Sequence, residues 1–280
     1  MTYSSLCIGV RNTLRGRGIS GAELEARLIV CAAAGIDADT YYRCLGQTVP
    51  DRTMNRCEEL LGRRLSGEPV AYITGKWEFF GLELIVDRRV LIPRIDTEIL
   101  AEEAIRLAAP GVRILDMCCG SGCVGIAAAV NLPGSRAVLA DISREALSVA
   151  GENIALLGLE DKVSTALADS LGEYDPSLGK FDMIVCNPPY IRTDEAPRLD
   201  ASVKDYEPGI ALFGGADGLD HYRSICSNWT GALFPGGYIL FECGAGQARS
   251  VEQIMRENGL KVKSTVKDTS GVERVAVGQK

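Results

Sequence analysis

The sequence predicts an α/β fold, a mostly parallel seven-stranded sheet preceded by a small helical domain. Three observations predict it. From Val112 onward, short apolar runs rich in β-branched residues alternate with segments of helical periodicity. The last two such runs, 260–267 and 272–277, are separated only by a Ser270-Gly271 turn, which implies an antiparallel edge. Residues up to about 75 read as helices.

Taken in order, Ser20-Gly-Ala-Glu23 has the spacing of a capping box, opening a helix through Leu24, Leu28 and Ile29 that Gly35 ends. A second helix is expected from about Asp51 to Leu65, with Leu60, Leu61 and Leu65 on one side, before Gly67 and Pro69 break it. Residues 77–86 read as a hairpin around Gly81. Asp96-Thr97-Glu98 opens a helix that Pro110-Gly111 ends. Strands follow at 112–117, 137–141, 163–168, about 181–186 and 237–243, with helices at 122–131, 143–157, 217–229 and 247–258. The expected domains are 1–75, helical; 76–90, a linking hairpin; and 91–280, the sheet domain.

Composition bounds the function. Of 280 residues, 46% are hydrophobic and 24% charged, ordinary for a globular chain with a sizeable core. A formal net charge of −7 argues against general affinity for nucleic acid, which needs clustered Lys and Arg. No apolar run approaches the ~20 residues of a membrane span, and no secretory signal is visible, so a soluble, cytoplasmic protein without membrane partners is expected. Ten cysteines, none in a C-x-x-C pair, give no support for a zinc site. Cys31, Cys186 and Cys243 sit in apolar runs and are expected to be reduced, small buried hydrophobes. With one histidine, His221, chemistry built on His bases or His metal clusters has little material.

Asn187-Pro188-Pro189-Tyr190 is the stretch around which the sheet domain is organised. The apolar strand before it stops at two prolines, which donate no backbone hydrogen bond, and Pro188 holds Asn187 extended. An amide is thereby fixed at the carboxyl end of a strand, where open α/β sheets bind ligands. The Asn187 side-chain oxygen can accept one hydrogen of a planar amide or amine and the Pro188 carbonyl the other, while Tyr190 can stack on the flat acceptor. The motif suits an adenine or cytosine amine or a glutamine amide, and does not choose among them.

Upstream, Asp116-Met-Cys-Cys-Gly120-Ser-Gly122-Cys-Val-Gly125 joins a strand to its helix, and its small residues allow close backbone approach to a ligand. The glycine spacing alone equally suggests NAD. Two acids separate the readings. Asp141 ends the next strand, placed for ribose hydroxyls. Asp116, directly before the loop, would repel a pyrophosphate but suits the ammonium of a methionine moiety, favouring S-adenosyl-L-methionine. Asp169 has two readings, an acceptor for the adenine amino group or a solvated loop acid.

These segments carry a resemblance. A seven-stranded order ending in a hairpin resembles the Rossmann-like fold of class I S-adenosylmethionine-dependent methyltransferases. Gly67-Glu-Pro-Val-Ala-Tyr-Ile-Thr-Gly75, Val90-Leu-Ile-Pro-Arg-Ile-Asp-Thr-Glu98, Asp116 to Gly122, Asn187-Pro-Pro-Tyr-Ile191, Tyr206-Glu-Pro208, Gly214-Gly-Ala-Asp-Gly-Leu-Asp220 and Pro235-Gly-Gly-Tyr238 are similar to signatures of the HemK/PrmC family, the peptide chain release factor N5-glutamine methyltransferases. The resemblance implies S-adenosyl-L-methionine held by the loop Cys118, Cys119, Gly120, Ser121 and Gly122, by Asp141 and by Asn187; Asp116 and Asp169, read above from their own chemistry, and the adjacent Ser170 complete the expected cofactor site. It implies a Gly-Gly-Gln glutamine held by Asn187, Pro188, Pro189 and Tyr190, with the helical domain contacting the release factor. No metal and no direct nucleic-acid substrate are expected. Two departures stand out: Cys118 replaces the first glycine of the loop found in many members, and Ser170 replaces a tryptophan found in some. The competing expectations are an adenine-N6 nucleic-acid methyltransferase, a ribosomal-protein glutamine methyltransferase, and a cofactor-binding adaptor without catalysis.

Overall fold

A computed structural model describes residues 1–280 and divides into two compact units, Met1–Lys76 with Asp200–Tyr206, and Trp77–Leu199 with Glu207–Lys280. The first unit holds α1 (Tyr3–Gly16), α2 (Ala22–Ala34), α3 (Ala38–Arg43), α4 (Asp51–Leu65) and α5 (Val70–Thr74). Its core is formed by Val10 and Leu14 of α1, Ala26, Ile29 and Val30 of α2, and Cys57 and Leu60 of α4. The expected Ser20–Glu23 capping box does not form. Gly21, in the left-handed region at φ 75°, is the N-cap of α2 and supplies no side chain, whereas Thr2 and Ser5 cap α1 reciprocally. Leu24 is exposed, because the face of α2 turned inward is the one bearing Ala22, Ala26 and Ile29.

The second unit begins with a two-stranded sheet, β1 (Lys76–Phe79) and β2 (Leu82–Ile85). Gly81 turns it at φ 73°. Then follow α6 (Glu98–Leu107), β3 (Arg113–Met117), α7 (Cys123–Asn131), β4 (Arg136–Asp141), α8 (Arg144–Leu156), β5 (Val163–Leu167) and β6 (Phe181–Cys186). Past the short α9 (Ala201–Lys204) of the first unit come α10 (Asp220–Ser224), β7 (Leu233–Glu242), α11 (Ala248–Glu257), β8 (Lys261–Lys267) and β9 (Glu273–Gln279). The seven-stranded sheet has the order β5-β4-β3-β6-β7-β9-β8, parallel except for β9, which runs antiparallel to both neighbours.

Alternation along each strand gives the sheet two apolar faces. Ile114, Leu139, Val185 and Leu240 meet α6, α7 and α8 on one side; Leu115, Ile184, Ile239 and Phe241 meet Tyr222, Trp229, Val251 and Met255 on the other. The helix expected over 217–229 is broken. α10 covers five residues, and Ile225–Trp229 continues as a turn of π-helix that buries Ile225, Cys226 and Trp229. All ten cysteines are free; Cys186 and Cys243 are buried and Cys31 is half-buried. No helix is long and apolar enough to cross a membrane.

The sheet order reverses between β3 and β6, whose neighbours run outward in opposite directions. At such a switch point the connections leave to opposite faces and open a crevice at the carboxyl ends.

Candidate active site

A cavity of about 290 Å³ occupies that crevice. Of the residues expected at the site, Asp116, Cys118, Cys119, Gly120, Ser121, Asp141, Asp169, Ser170, Asn187 and Pro189 line it, and Gly122, Pro188 and Tyr190 do not.

The β3–α7 loop is folded by the acids it carries. Asp116, buried at the end of β3, accepts from Gly125 N with Oδ2 at 2.8 Å. Asp141 closes β4 and accepts from Gly120 N at 3.0 Å and Ser143 N at 2.9 Å. The loop carbonyl of Ser121 receives Asn153 Nδ2 at 3.0 Å, and the same buried side chain bonds Ile85 N and O. Cys118 adopts φ 58°, left-handed backbone that a glycine takes freely and other residues rarely do. Gly122 and Gly125 serve packing, since a Cβ on either would approach a Leu139 methyl to 2.6 or 2.4 Å. Gly120 differs: a Cβ there meets nothing within 4 Å, so this part of the loop fronts the open cavity.

Burial decides the electrostatics. Desolvation pushes Asp116 up to about 7, against the pull of the Gly125 N–H, with the Asp141 charge adding to the rise. Desolvation raises Asp141 as well, opposed by its backbone donors. No basic side chain pairs with Asp116, so the wall holds a carboxylate that a bound cation would compensate. Asp169 is exposed at the rim, where it accepts from Leu171 N at 2.8 Å and shapes its own turn. Ser170 Oγ lies 2.8 Å from Nδ1 of His221, which lines the cavity and is held below its ordinary pKa by burial.

Asn187 follows β6, with its Nδ2 donating to Thr97 Oγ1 at 3.2 Å. The Asn-Pro-Pro-Tyr loop is clamped by 212–218: Ile191 N donates to Leu212 O and Gly214 N to Ile191 O, both at 2.9 Å. A Cβ on Gly214 would stand 2.3 Å from Pro189 O, and one on Gly218 2.3 Å from Tyr190 O. Gln247 Nε2 completes the clamp on Tyr190 O at 3.0 Å. Tyr190 is not among the residues that line the cavity; its ring passes Gly244, and burial pushes its phenol up to about 12. The opposite wall, 91–94, is pinned by the buried Glu207, which receives Arg94 Nη2 at 2.5 Å and Ile92 N at 3.3 Å. Sequence reasoning missed Thr97, Glu207 and His221 as parts of the site. Their separation along the chain hides them, although Thr97 and Glu207 stand within segments that carry the resemblance.

Comparison with known proteins gives the family and the fold. Residues 6–75 match the family model described as the PrmC N-terminal domain, and residues 95–202 the methyltransferase small domain. A methyltransferase of Pyrococcus furiosus shares the fold, with TM-score 0.55 and 17% identity over 80% of this chain and 98% of that one. The release factor glutamine methyltransferase of Geobacter sulfurreducens is 37% identical over 270 residues, covering 96% of this chain and 93% of that protein. The protein of the same name from Thermodesulfovibrio yellowstonii is 37% identical over 91% of this chain and 92% of its own length. At that identity, sustained along nearly the whole sequence, the chain belongs to the family of release factor glutamine methyltransferases.

Proposed function

We propose that the chain transfers a methyl group from S-adenosyl-L-methionine to the side-chain amide N5 of the glutamine in the Gly-Gly-Gln motif of peptide chain release factors. The observation that carries the reading is Asn187, held at the carboxyl end of β6 in one cavity with Asp116, Gly120 and Asp141. The residues present fit this cofactor. Asp116 is a buried carboxylate without a cation, matched to an ammonium, and Asp141 stands at the end of β4 for ribose hydroxyls. Gly120 leaves room for close approach. Asp169 and the Ser170–His221 pair line the same cavity and would receive the adenine. When bound, the cofactor supplies an electrophilic methyl group on a sulfonium.

The chain's task is then positional. An amide nitrogen is a weak nucleophile, and its two hydrogens must be held so that the nitrogen's lone-pair face meets the methyl carbon. Asn187, which borders the cavity, would accept one hydrogen at Oδ1; the Pro188 carbonyl is the expected acceptor for the other, although Pro188 is not among the lining residues. Tyr190 would border the acceptor from outside the cavity. The helical unit, 1–75, would dock the release factor, a cytoplasmic partner, and this is the part matching the PrmC N-terminal domain.

The test is mass spectrometry of the Gly-Gly-Gln peptide after incubation of a release factor with enzyme and cofactor. One added methyl on the glutamine is expected, and Asn187→Ala should slow its appearance by about 100-fold or more with the fold retained, the scale of losing a preorganised polar contact at a reacting centre. Methylation of ribosomal protein or DNA with none of the release factor would overturn the substrate, and full activity of the variant the mechanism.

A further inference from the structure

Asn187 works only if its side-chain amide faces one way. With Oδ1 toward the acceptor it holds a hydrogen; rotated by half a turn it presents its own NH2 to an NH2. The two rotamers have nearly the same shape, so packing cannot choose between them, and only a hydrogen-bond partner of fixed polarity can.

That partner is on α6's N-terminal side. Thr97 is buried, lines the cavity, and accepts from Asn187 Nδ2 at 3.2 Å. A hydroxyl alone would not fix polarity, because it can donate as readily as accept. The neighbouring strand supplies the direction. In the β6–β7 register Cys186 pairs with Phe241, so Asn187 and Glu242, each one residue on, emerge side by side. Val185 and Leu240, two residues before them, contribute to the face covered by α6, which makes this the face on which Asn187 and Glu242 meet Thr97. Glu242 is buried, the Thr97 hydroxyl favours its ionised form against the rise that burial causes, and its Oε2 has no hydrogen-bond partner. In its ionised form Glu242 can only accept, so the single Thr97 proton then goes to Glu242 and only lone pairs remain for Asn187.

We infer that Thr97 and Glu242 are positioning residues: the chain Asn187→Thr97→Glu242 sets the orientation of the Asn187 amide and so presents Oδ1 to the substrate nitrogen. The inference rests on the reading of Asn187 as the group that holds the acceptor amide. Neither Thr97 nor Glu242 need touch substrate, and the inference gives a role to a buried acid that the proposed reaction does not otherwise use.

Thr97→Val keeps the shape and removes the hydroxyl. The expected result is a fall in kcat of about tenfold, the scale of one hydrogen bond, with cofactor Kd and release-factor KM unchanged. Thr97→Ser should recover most of that loss. On an Asn187→Ala background Thr97→Val should cost nothing more, since there is no amide left to orient. A second readout needs no turnover. In 15N NMR the Asn187 side-chain NH2, assigned by its absence from Asn187→Ala, should be rigid in the native protein and mobile in Thr97→Val. An equally rigid amide in Thr97→Val, or a tenfold loss that Thr97→Ser does not repair, would overturn the inference. Failure of the native enzyme to methylate any Gly-Gly-Gln glutamine, with the amide behaving as expected, would instead strike the substrate assignment and leave the orientation standing.

Discussion

At the scale of single residues, Cys118 shows what the sequence announces and what it withholds. Its replacement of a glycine is visible in the sequence, but the cost depends on backbone geometry, and φ 58° puts the residue in the left-handed region at about 1–2 kcal/mol. Cys118→Gly should therefore leave stability within about 1 kcal/mol of the parent, relief of strain offsetting the greater freedom of the unfolded chain. Cys118→Val, β-branched at the same φ, should lose about 1–3 kcal/mol. Urea unfolding of both variants checks this, and equal stabilities would mean that the strain is absent. The acids were legible because each ends a strand beside a glycine-rich loop. The packing of the Tyr190 ring was not, since its neighbours Gly244 and Gln247 lie more than 50 residues away.

At the scale of elements, strands were easier to read than helices. The strands at 113–117 and 181–186 are buried on both faces, so their continuous apolar runs leave little ambiguity. The helix expected over 217–229 fails because burying Trp229 under the sheet, with its Nε1 donating to Gly172 O at 3.1 Å, requires a wider turn than its pattern shows. The start of α2 fails because Ser20 competes with Gly21, whose positive φ sets the entry angle. The junction of β3 and α7 depends on close approach. Gly125→Ala would drive a methyl against Leu139 and to 3.0 Å from Asp116 Oδ2. The expected outcome is a loss of about 1–3 kcal/mol of stability, as for other overpacked sites, together with weaker cofactor binding because Asp116 must move. Calorimetry on Gly125→Ala decides the matter, and native stability with native affinity would show that α7 can retreat freely.

At the scale of the whole molecule, two opposed sets of carboxylates set the pH response. Asp116 and Glu242 are both pushed up to about 7 by burial, from ordinary values of 3.8 and 4.5. Between those limits the folded chain binds protons that the unfolded chain has released, so these groups favour folding at low pH and lose that contribution as pH rises through about 7. Asp87, held low by Arg89, and Asp268, held low by the Val272 N–H, act in reverse, stabilising above the ordinary carboxylate range and failing in acid. The protein without cofactor should therefore have its highest Tm near about pH 4 to 5, with the decline from there to about pH 7 shallower in Asp116→Asn. A Tm rising steadily to pH 8 would contradict it. A cationic ligand beside Asp116 favours the ionised form, so cofactor binding should release a proton near pH 6 to 7, seen as a buffer-dependent heat. Fold class and the heart of the cavity were legible at this scale because βα alternation dictates the switch point. The grouping of Asp200–Tyr206 with the helical unit was not, because it rests on contacts such as Tyr206 Oη to Ser66 O at 3.1 Å, across 140 positions. The clamp around Asn-Pro-Pro-Tyr has a further consequence. Apart from the Gln247 amide, its bonds are made by main chain and its close fit by glycine, so the loop pays most of its conformational entropy once, at folding. Each encounter with a substrate then meets a receptor already ordered, and the freedom lost in reaching the reactive state falls mainly on the incoming glutamine.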